Sequence, residues 1–196
     1  IEGSLRRLQT DHIDLYQLHS VKTMENVEQI TRPGGALETF CRAHEQGLVR
    51  ILSTSTPNED AALALMERYD FDTVMFPCNW VAWHQGHFGE RLLAGALRKG
   101  LGALALKTLA KRQWEEGEER KWSKTWYCPV ETYEEALLAV RFTLSKPITA
   151  AVSPGHEELL WWACDAADEF MPLSPEEEAE VARRTVGLKP IFPRES

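Results

Sequence analysis

The stretch that decides the fold is residues 4–19, Ser4-Leu-Arg-Arg-Leu-Gln-Thr-Asp-His-Ile-Asp-Leu-Tyr-Gln-Leu-His19. Its first part predicts the end of a helix, because Leu5 and Leu8 fall on one side of a helical turn. Its second part, Ile13–His19, is a short apolar run typical of a strand. Four more strand-like runs alternate with helical segments further along the chain, at 49–53, 73–78, 102–107 and 148–153. The alternation predicts an α/β fold with parallel strands.

Capping signals mark the helices between these strands. Asn58 and Thr132 precede apolar periodic segments and are good N-caps, and Ser174 precedes a proline and an acidic first turn. Gly47 and Gly100 are suitable C-terminal stops. Residues 1–9 are predicted to be the end of a helix, and a last helix is predicted to begin at 174. The helices predicted between them occupy 36–44, 61–69, 90–99, 132–145 and 157–170.

Two architectures fit five strands that alternate with helices. One is an open doubly wound sheet, and the other is a (β/α)8 TIM-type barrel. A barrel usually takes about 250 residues, so a barrel of 196 residues would lack three βα units at its front. The pattern alone does not choose between them. We predict a single domain over 1–196, in which the charged, tryptophan-rich segment 111–128 forms a loop or a short lid.

Composition narrows the class of protein. The chain is 43% hydrophobic and 27% charged, as in a soluble globular protein, and its net charge is −8. A negative balance argues against nucleic-acid and anionic-membrane partners, and no apolar run approaches the about 20 residues of a membrane span. Residue 1 is Ile rather than Met, so we expect the recorded chain to lack its natural start.

The cysteines indicate a cytoplasmic protein with reduced thiols. They are widely spaced, so no pair has the spacing of a zinc or iron–sulfur site. Cys78, His84 and His87 lack a further ligand at a sensible spacing, and we therefore predict no metal site. The four cysteines are Cys41, Cys78, Cys128 and Cys164.

The sequence resembles the aldo-keto reductases. Residues 4–19 are similar to that family's S-L-x-x-L helix end followed by D-x-I-D-L-Y-x-x-H on its fourth barrel strand. Residues 76–79, 100–107 and 137–153 match later strands and helices of the family in the same order. The resemblance covers nearly the whole chain and implies the TIM-type barrel, with the first three βα units absent from it.

The resemblance also implies a chemistry. A nicotinamide cofactor, NADP or NAD, exchanges hydride with the carbonyl carbon of a small aldehyde or ketone. The family uses an aspartate, a tyrosine, a lysine and a histidine, and only the histidine has a counterpart here, His19. We therefore expect His19 to orient the carbonyl and the chain alone to be inactive. Oligomeric state stays open.

Three strand ends carry the implied cofactor contacts. Ser55 and Thr56 stand at the family's S-N pair, Leu106 stands where a tyrosine stacks under the nicotinamide, and Lys107 follows it. The alternative interpretation of Ser55 and Thr56 is a polar turn between strand and helix, and that of Lys107 is a solvated strand end. Met75 replaces a glutamine of the family and cannot make that residue's hydrogen bonds.

The last predicted strand ends in a loop suited to phosphate. Ser153 and Gly155 precede a predicted helix, whose first backbone N–H groups attract anions. His156-Glu-Glu follows where the family has basic residues that bind the 2′-phosphate of NADP. Two carboxylates disfavour that phosphate, so weak NADP discrimination, a preference for NAD and impaired cofactor binding are all open.

Two functions remain open at this stage. Trp80 and Trp83 follow a strand end and are expected to line the substrate pocket of a carbonyl-reducing enzyme. Alternatively, the departures at Thr56 and Met75 fit a non-catalytic binding or interaction module with a degenerate cofactor site.

Overall fold

All five predicted strands are present in the structure, a computed structural model that describes residues 1–193. The fourth predicted strand is followed by two short strands that the sequence did not indicate. In chain order the strands are β1 (Ile13–His19), β2 (Val49–Ser55), β3 (Thr73–Pro77), β4 (Gly102–Leu106), β5 (Ala110–Arg112), β6 (Cys128–Pro129) and β7 (Ala150–Ala151).

The helices begin where the capping residues predict. Asn58, Thr132 and Ser174 each accept a hydrogen bond from a backbone N–H of the first helical turn. Two helices, the second and the fifth, were not predicted. The helices are α1 (Glu2–Leu8), α2 (Met24–Thr31), α3 (Ala36–Glu45), α4 (Glu59–Arg68), α5 (Trp80–His84), α6 (Glu90–Lys99), α7 (Tyr133–Leu144), α8 (Glu157–Asp168) and α9 (Pro175–Arg184).

The chain groups into two compact units. Unit 1 comprises Ile1–Met75 and Ala94–Gly102, and unit 2 comprises Phe76–Leu93 and the chain from Ala103 onward. Each contains parallel strands with helices between them, which confirms the predicted α/β class. The single domain over 1–196 stays a prediction.

In unit 1, β2 lies between β1 and β3, and both pairings are parallel. Leu18, Leu52 and Val74 alternate along the three strands with the residues of the opposite face and are buried. Tyr16 lies on the same face as Leu18. Its ring contacts that of Phe40 in α3, with 5.2 Å between the ring centroids. One face of this sheet therefore forms the core of unit 1.

In unit 2, β4 pairs in parallel with β7. The predicted strand 148–153 is reduced to Ala150–Ala151, although the N–H groups of Thr149 and Val152 still donate to carbonyl oxygens of β4 at 2.8 Å. Helices α5, α7, α8 and α9 enclose an apolar core. Its largest members are Trp80, Trp122, Phe142, Leu109 and Leu159.

The segment 111–128 differs from the predicted loop at both ends. Its ends belong to β5 and β6, which pair antiparallel as a short ribbon. Between them, Arg112 donates two hydrogen bonds to Glu118, at 2.7 and 2.6 Å, and lowers the pKa of that carboxyl to about 2. Trp122 is buried and donates to Glu158 of α8 at 2.9 Å. These contacts fix the segment to unit 2, and its role as a lid stays a prediction.

Residues 1–193 contain neither a membrane-spanning helix nor a cluster of metal ligands. Within residues 1–193, no helix has both the length and the apolar character that crossing a bilayer requires. The same residues include no group of three or more histidine, cysteine or acidic side chains placed to hold a metal ion. All four cysteines are free thiols.

One partly buried histidine is expected to make the stability of unit 2 depend on pH. His84 lies 5.4 Å from the Phe142 ring, and its Nε2 is buried without a hydrogen-bond partner in the described chain. Burial lowers the pKa of His84 below 6.5, while Glu178 raises it and Lys146 lowers it by smaller amounts. The unfolded chain therefore binds the proton more tightly than the folded chain.

We expect the free energy of unfolding to fall as pH drops below the ordinary histidine pKa, because protonation then favours the unfolded chain. Urea unfolding from about pH 7.5 to about pH 5.5 measures this effect. His84→Phe should flatten the fall, whereas His87→Asn, a change at an exposed histidine, should leave it unchanged. Parallel curves for wild type and His84→Phe would contradict the assignment.

Candidate functional site

Three predicted positions lie side by side at the carboxyl ends of parallel strands. His19 of β1 is in register with Ser55 of β2, and Ser55 is in register with Met75 of β3. Residues in register on parallel strands point to the same face of a sheet. Unit 1 therefore brings the predicted catalytic histidine next to a predicted cofactor contact.

A hydrogen-bonded row lies one step behind this trio on the same face. Gln17 Nε2 donates to Ser53 Oγ at 3.0 Å, and Thr73 Oγ1 lies 2.7 Å from the same oxygen. Ser53 Oγ in turn lies 3.2 Å from the carbonyl oxygen of Thr73. These side chains join β1, β2 and β3 and hold the register that places His19 and Ser55.

His19 and Ser55 remain available to a ligand. The His19 side chain is exposed, and neither its ring nor Ser55 Oγ has a hydrogen-bond partner among residues 1–193. Ser55 is 5% exposed, and its unpartnered Oγ is not among the fully buried atoms of the described chain, so the hydroxyl keeps some access to solvent. A neutral imidazole can donate one hydrogen bond to a carbonyl oxygen, and a hydroxyl can donate or accept one.

Thr56 is engaged within unit 1. Its Oγ1 lies 2.8 Å from the carbonyl oxygens of Val21 and Asn58, and it accepts from the Asn58 N–H at 3.0 Å. Its own N–H donates to the Met75 carbonyl oxygen, and the residue is 1% exposed. This hydroxyl ties the start of α4 to the strand ends, and its cofactor role stays a prediction.

In unit 2, Lys107 follows the end of β4, after the half-buried Leu106. Its backbone is left-handed, with φ of 65°. Its Nζ lies 4.8 Å from the ring centroid of Tyr127 and 5.5 Å from that of Trp126. Burial lowers the pKa of Lys107. In the described chain no carboxylate pairs with this ammonium, so it can still bind an anionic group.

Ser153 and Gly155 lie between β7 and α8, and both are exposed. His156 is the N-cap of α8, but its side chain makes no capping hydrogen bond. Backbone N–H groups of that first turn are therefore not capped by the residue that precedes them. Glu157 and Glu158 occupy the same turn, and Glu158 is bonded to Trp122.

A cavity of about 300 Å³ lies beside these residues in unit 2. Thr108 and Ser153 line it with apolar side chains of α7 and α8, among them Val140 and Leu160. Thr108 is 4% exposed, and its hydroxyl has no hydrogen-bond partner in the described chain. A buried polar group without a partner is costly, and most of the other residues that line the cavity are apolar, so the cavity is suited to a largely apolar group.

The two tryptophans predicted to line a substrate pocket have other surroundings. Trp80 is 1% exposed, and its indole N–H donates to the Ala110 carbonyl oxygen at 3.1 Å. It is a core residue without a face that a substrate can reach, which corrects its assignment. Trp83 is partly buried, with the Lys146 ammonium 5.1 Å from its ring centroid. Its pocket role stays a prediction.

Sequence reasoning missed Thr108 and the role of the Gln17 row. Thr108 follows a strand end, which is a signal for a site residue in parallel α/β folds, but only the tertiary structure shows its unpartnered hydroxyl. The alternation along β1 put Gln17 on the face of His19, but its bond to Ser53 depends on register.

Comparison with known proteins agrees with this geometry. The sequence profile described as "Aldo/keto reductase family" matches residues 1–155. A curated relative, the uncharacterized oxidoreductase YqkF of Bacillus subtilis, is 25% identical over 109 residues, which are 52% of this chain and 34% of that protein. The match thus spans about a third of the curated relative.

Solved structures show the same fold. An aldo-keto reductase from Bacillus halodurans in its holo form has a TM-score of 0.67 at 22% identity, covering 99% of this chain and 68% of that one. An aldo-keto reductase from Klebsiella pneumoniae, solved in complex with NADPH, has a TM-score of 0.64 at 21% identity, covering 100% and 64%.

A parallel α/β fold with free polar side chains at its strand ends is typical of enzymes that build their sites at that edge. The chain belongs to the aldo/keto reductase family.

Thr56 provides a test of structural against ligand-binding roles. We expect Thr56→Val to lower the free energy of unfolding by about 1–3 kcal/mol, because the partners of its hydroxyl lose their hydrogen bonds inside the fold. Thr56→Ser, which keeps the hydroxyl, should retain most of that stability. Denaturant unfolding measures both variants. Unchanged stability of Thr56→Val together with weaker cofactor binding would show instead that the hydroxyl serves the ligand.

Proposed function

We propose that this chain is part of a nicotinamide-dependent oxidoreductase that reduces an aldehyde or ketone to an alcohol. The observation that carries the proposal is the free imidazole of His19 in register with the open hydroxyl of Ser55, in a member of the aldo/keto reductase family. The relatives' descriptions as oxidoreductases and reductases support the reaction class.

His19 orients the carbonyl group. Its exposed ring, at the end of β1, donates a hydrogen bond to the substrate oxygen and draws charge away from the carbonyl carbon. Ser55 supplies a second polar contact on the same face. The Gln17–Ser53–Thr73 row holds the register of the strands that carry both residues, so their backbone positions are set before a ligand binds.

The cofactor is NADP or NAD, as the NADPH complex of the Klebsiella relative supports. When bound, it supplies the hydride. The residues of unit 2 fit its adenosine end: the cavity accepts the adenine, Thr108 offers the unpartnered hydroxyl, and Lys107, Ser153 and Gly155 hold phosphate groups. Leu106 offers an apolar side chain near the same strand end.

The complete fold in this proposal is a (β/α)8 barrel whose first three βα units are not in this sequence. The proton donor for the carbonyl oxygen belongs to those units, so the 196-residue chain binds cofactor without reducing carbonyls. The substrate is a small carbonyl compound. The protein is cytoplasmic in this proposal.

A second candidate is a non-catalytic binding or interaction module. The observation that favours it is the engagement of Thr56, whose hydroxyl contacts only its own unit. Met75, which lies beside Ser55, cannot supply the amide contacts that it would need to replace. Turnover in the protein that carries the whole barrel separates the two functions.

His19 is tested by turnover. In the protein that includes any segment encoded before residue 1, we expect His19→Phe to lower kcat/KM for an aldehyde at least about tenfold, because a hydrogen bond to the carbonyl oxygen is lost. His87→Asn, at another exposed histidine, is the matched control. NAD(P)H oxidation, followed by its absorbance, measures both. Full activity of His19→Phe would refute the assigned role, and cofactor binding without any turnover would favour the module.

Cofactor choice is tested by titration of the 196-residue chain. We expect NADH to bind at least as tightly as NADPH, because Glu157 places a carboxylate in the first turn of α8. Glu157→Arg should tighten NADPH binding about tenfold, with Glu115→Arg, on an exposed loop, as control. Calorimetry measures the dissociation constants. Markedly tighter NADPH binding by the unaltered chain would contradict this preference.

A further inference from the structure

A thiol lies at the rim of the unit 2 cavity. Cys164 of α8 lines the cavity together with Thr108, Ser153 and Leu160, and its side chain is exposed. A group attached to its sulfur would therefore stand where a ligand enters. Thr108 also lines this cavity and is 4% exposed, and its hydroxyl has no hydrogen-bond partner in the described chain. This unpartnered hydroxyl is an independent indication that the cavity accepts a ligand.

The other cysteines do not compete for reagents in the same way. Cys78 and Cys128 are buried, and burial raises the pKa of the first to about 12 and of the second to about 11. Cys41 of unit 1 is partly buried. In the described chain, Cys164 is the one cysteine with an exposed side chain, and access favours its reaction.

The charge around Cys164 selects the reagent. Helix α8 carries four carboxylates and no basic residue, namely Glu157, Glu158, Asp165 and Asp168. Glu158 is paired with the Lys121 ammonium at 3.7 Å, and the other three carboxylates favour a cationic disulfide over an anionic one. The cavity volume of about 300 Å³ also favours small groups over a peptide-sized one.

We propose that Cys164 is a modification site at which a small neutral or cationic disulfide closes the unit 2 cavity to the cofactor. The Cys164 thiolate attacks one sulfur of the disulfide, a new S–S bond forms, the old S–S bond breaks, and one thiol leaves with its electron pair and a proton. A reducing thiol reverses the exchange. The proposal rests on the proposed function, which assigns this cavity to the cofactor.

Modification of Cys164 and binding of the cofactor should oppose each other. If the attached group weakens cofactor binding, bound cofactor must disfavour modification of the thiol to the same degree at equilibrium. Cofactor should therefore protect Cys164 and leave Cys41 of unit 1 unprotected. A thiol that reacts without blocking the cavity would show no such protection.

The experiment treats the 196-residue chain with cystamine, with hydroxyethyl disulfide and with glutathione disulfide, which are cationic, neutral and anionic. Peptide mass mapping identifies the modified cysteine and its rate, and calorimetry measures NADH and NADPH binding before treatment, after treatment and after reduction. Cys164→Ser and Cys41→Ser are the matched variants, and each is compared with itself before and after treatment.

We expect Cys164 to react first, with cystamine fastest and glutathione disulfide slowest, and NADH to slow the reaction. Cofactor affinity should fall at least about fivefold after treatment, recover on reduction, and stay constant in Cys164→Ser while still falling in Cys41→Ser. Faster modification of Cys41, or binding that is insensitive to modified Cys164, would overturn the proposal.

The same experiment distinguishes failure of the proposed function from failure of the present proposal. If the untreated chain binds neither NADH nor NADPH, the cavity is not a cofactor site, and closure of a cofactor site at Cys164 is refuted with it. If the untreated chain binds cofactor and the modified chain binds equally well, only the present proposal is refuted.

Discussion

The register of three parallel strands is the constraint on which the candidate site depends. Because the strands run in the same direction, their carboxyl ends meet at one edge, and residues in register share a face. The bonds among Gln17, Ser53 and Thr73 join the strands one step behind that edge. A slip of one residue would turn His19 and Ser55 to opposite faces of the sheet. This polar row thus both stabilises the sheet and positions the candidate site.

In unit 2, packing rather than register shapes the cavity. Trp122 carries segment 111–128 into the core and donates a hydrogen bond to Glu158 at the start of α8, which joins the aromatic core to the helix that borders the cavity. The charged pair of Arg112 and Glu118 shortens the free part of that segment. These contacts anchor the tryptophan-rich segment to unit 2, and its role as a lid stays a prediction.

In the proposed function, charge decides which phosphate groups the residues of unit 2 accept. Lys107, which lacks a protein counter-ion in the described chain, and the backbone at the start of α8 attract phosphate, whereas Glu157 in the same turn opposes an additional phosphate. In the proposed modification, carboxylates of the same helix favour cationic reagents at Cys164. In the two proposals, cofactor choice and thiol chemistry both follow from the carboxylates of one acidic helix.

The sequence by itself determined the α/β class, the order of the elements and most helix starts, because periodicity and capping are local properties. It also placed His19 and Ser55 at strand ends, where parallel topology makes them neighbours. Only the tertiary structure decided that Trp80 belongs to the core, that the Thr56 hydroxyl is engaged and that the hydroxyl of Thr108 has no partner in the described chain. Burial and hydrogen-bond partners depend on residues distant in the chain, and no local pattern records them.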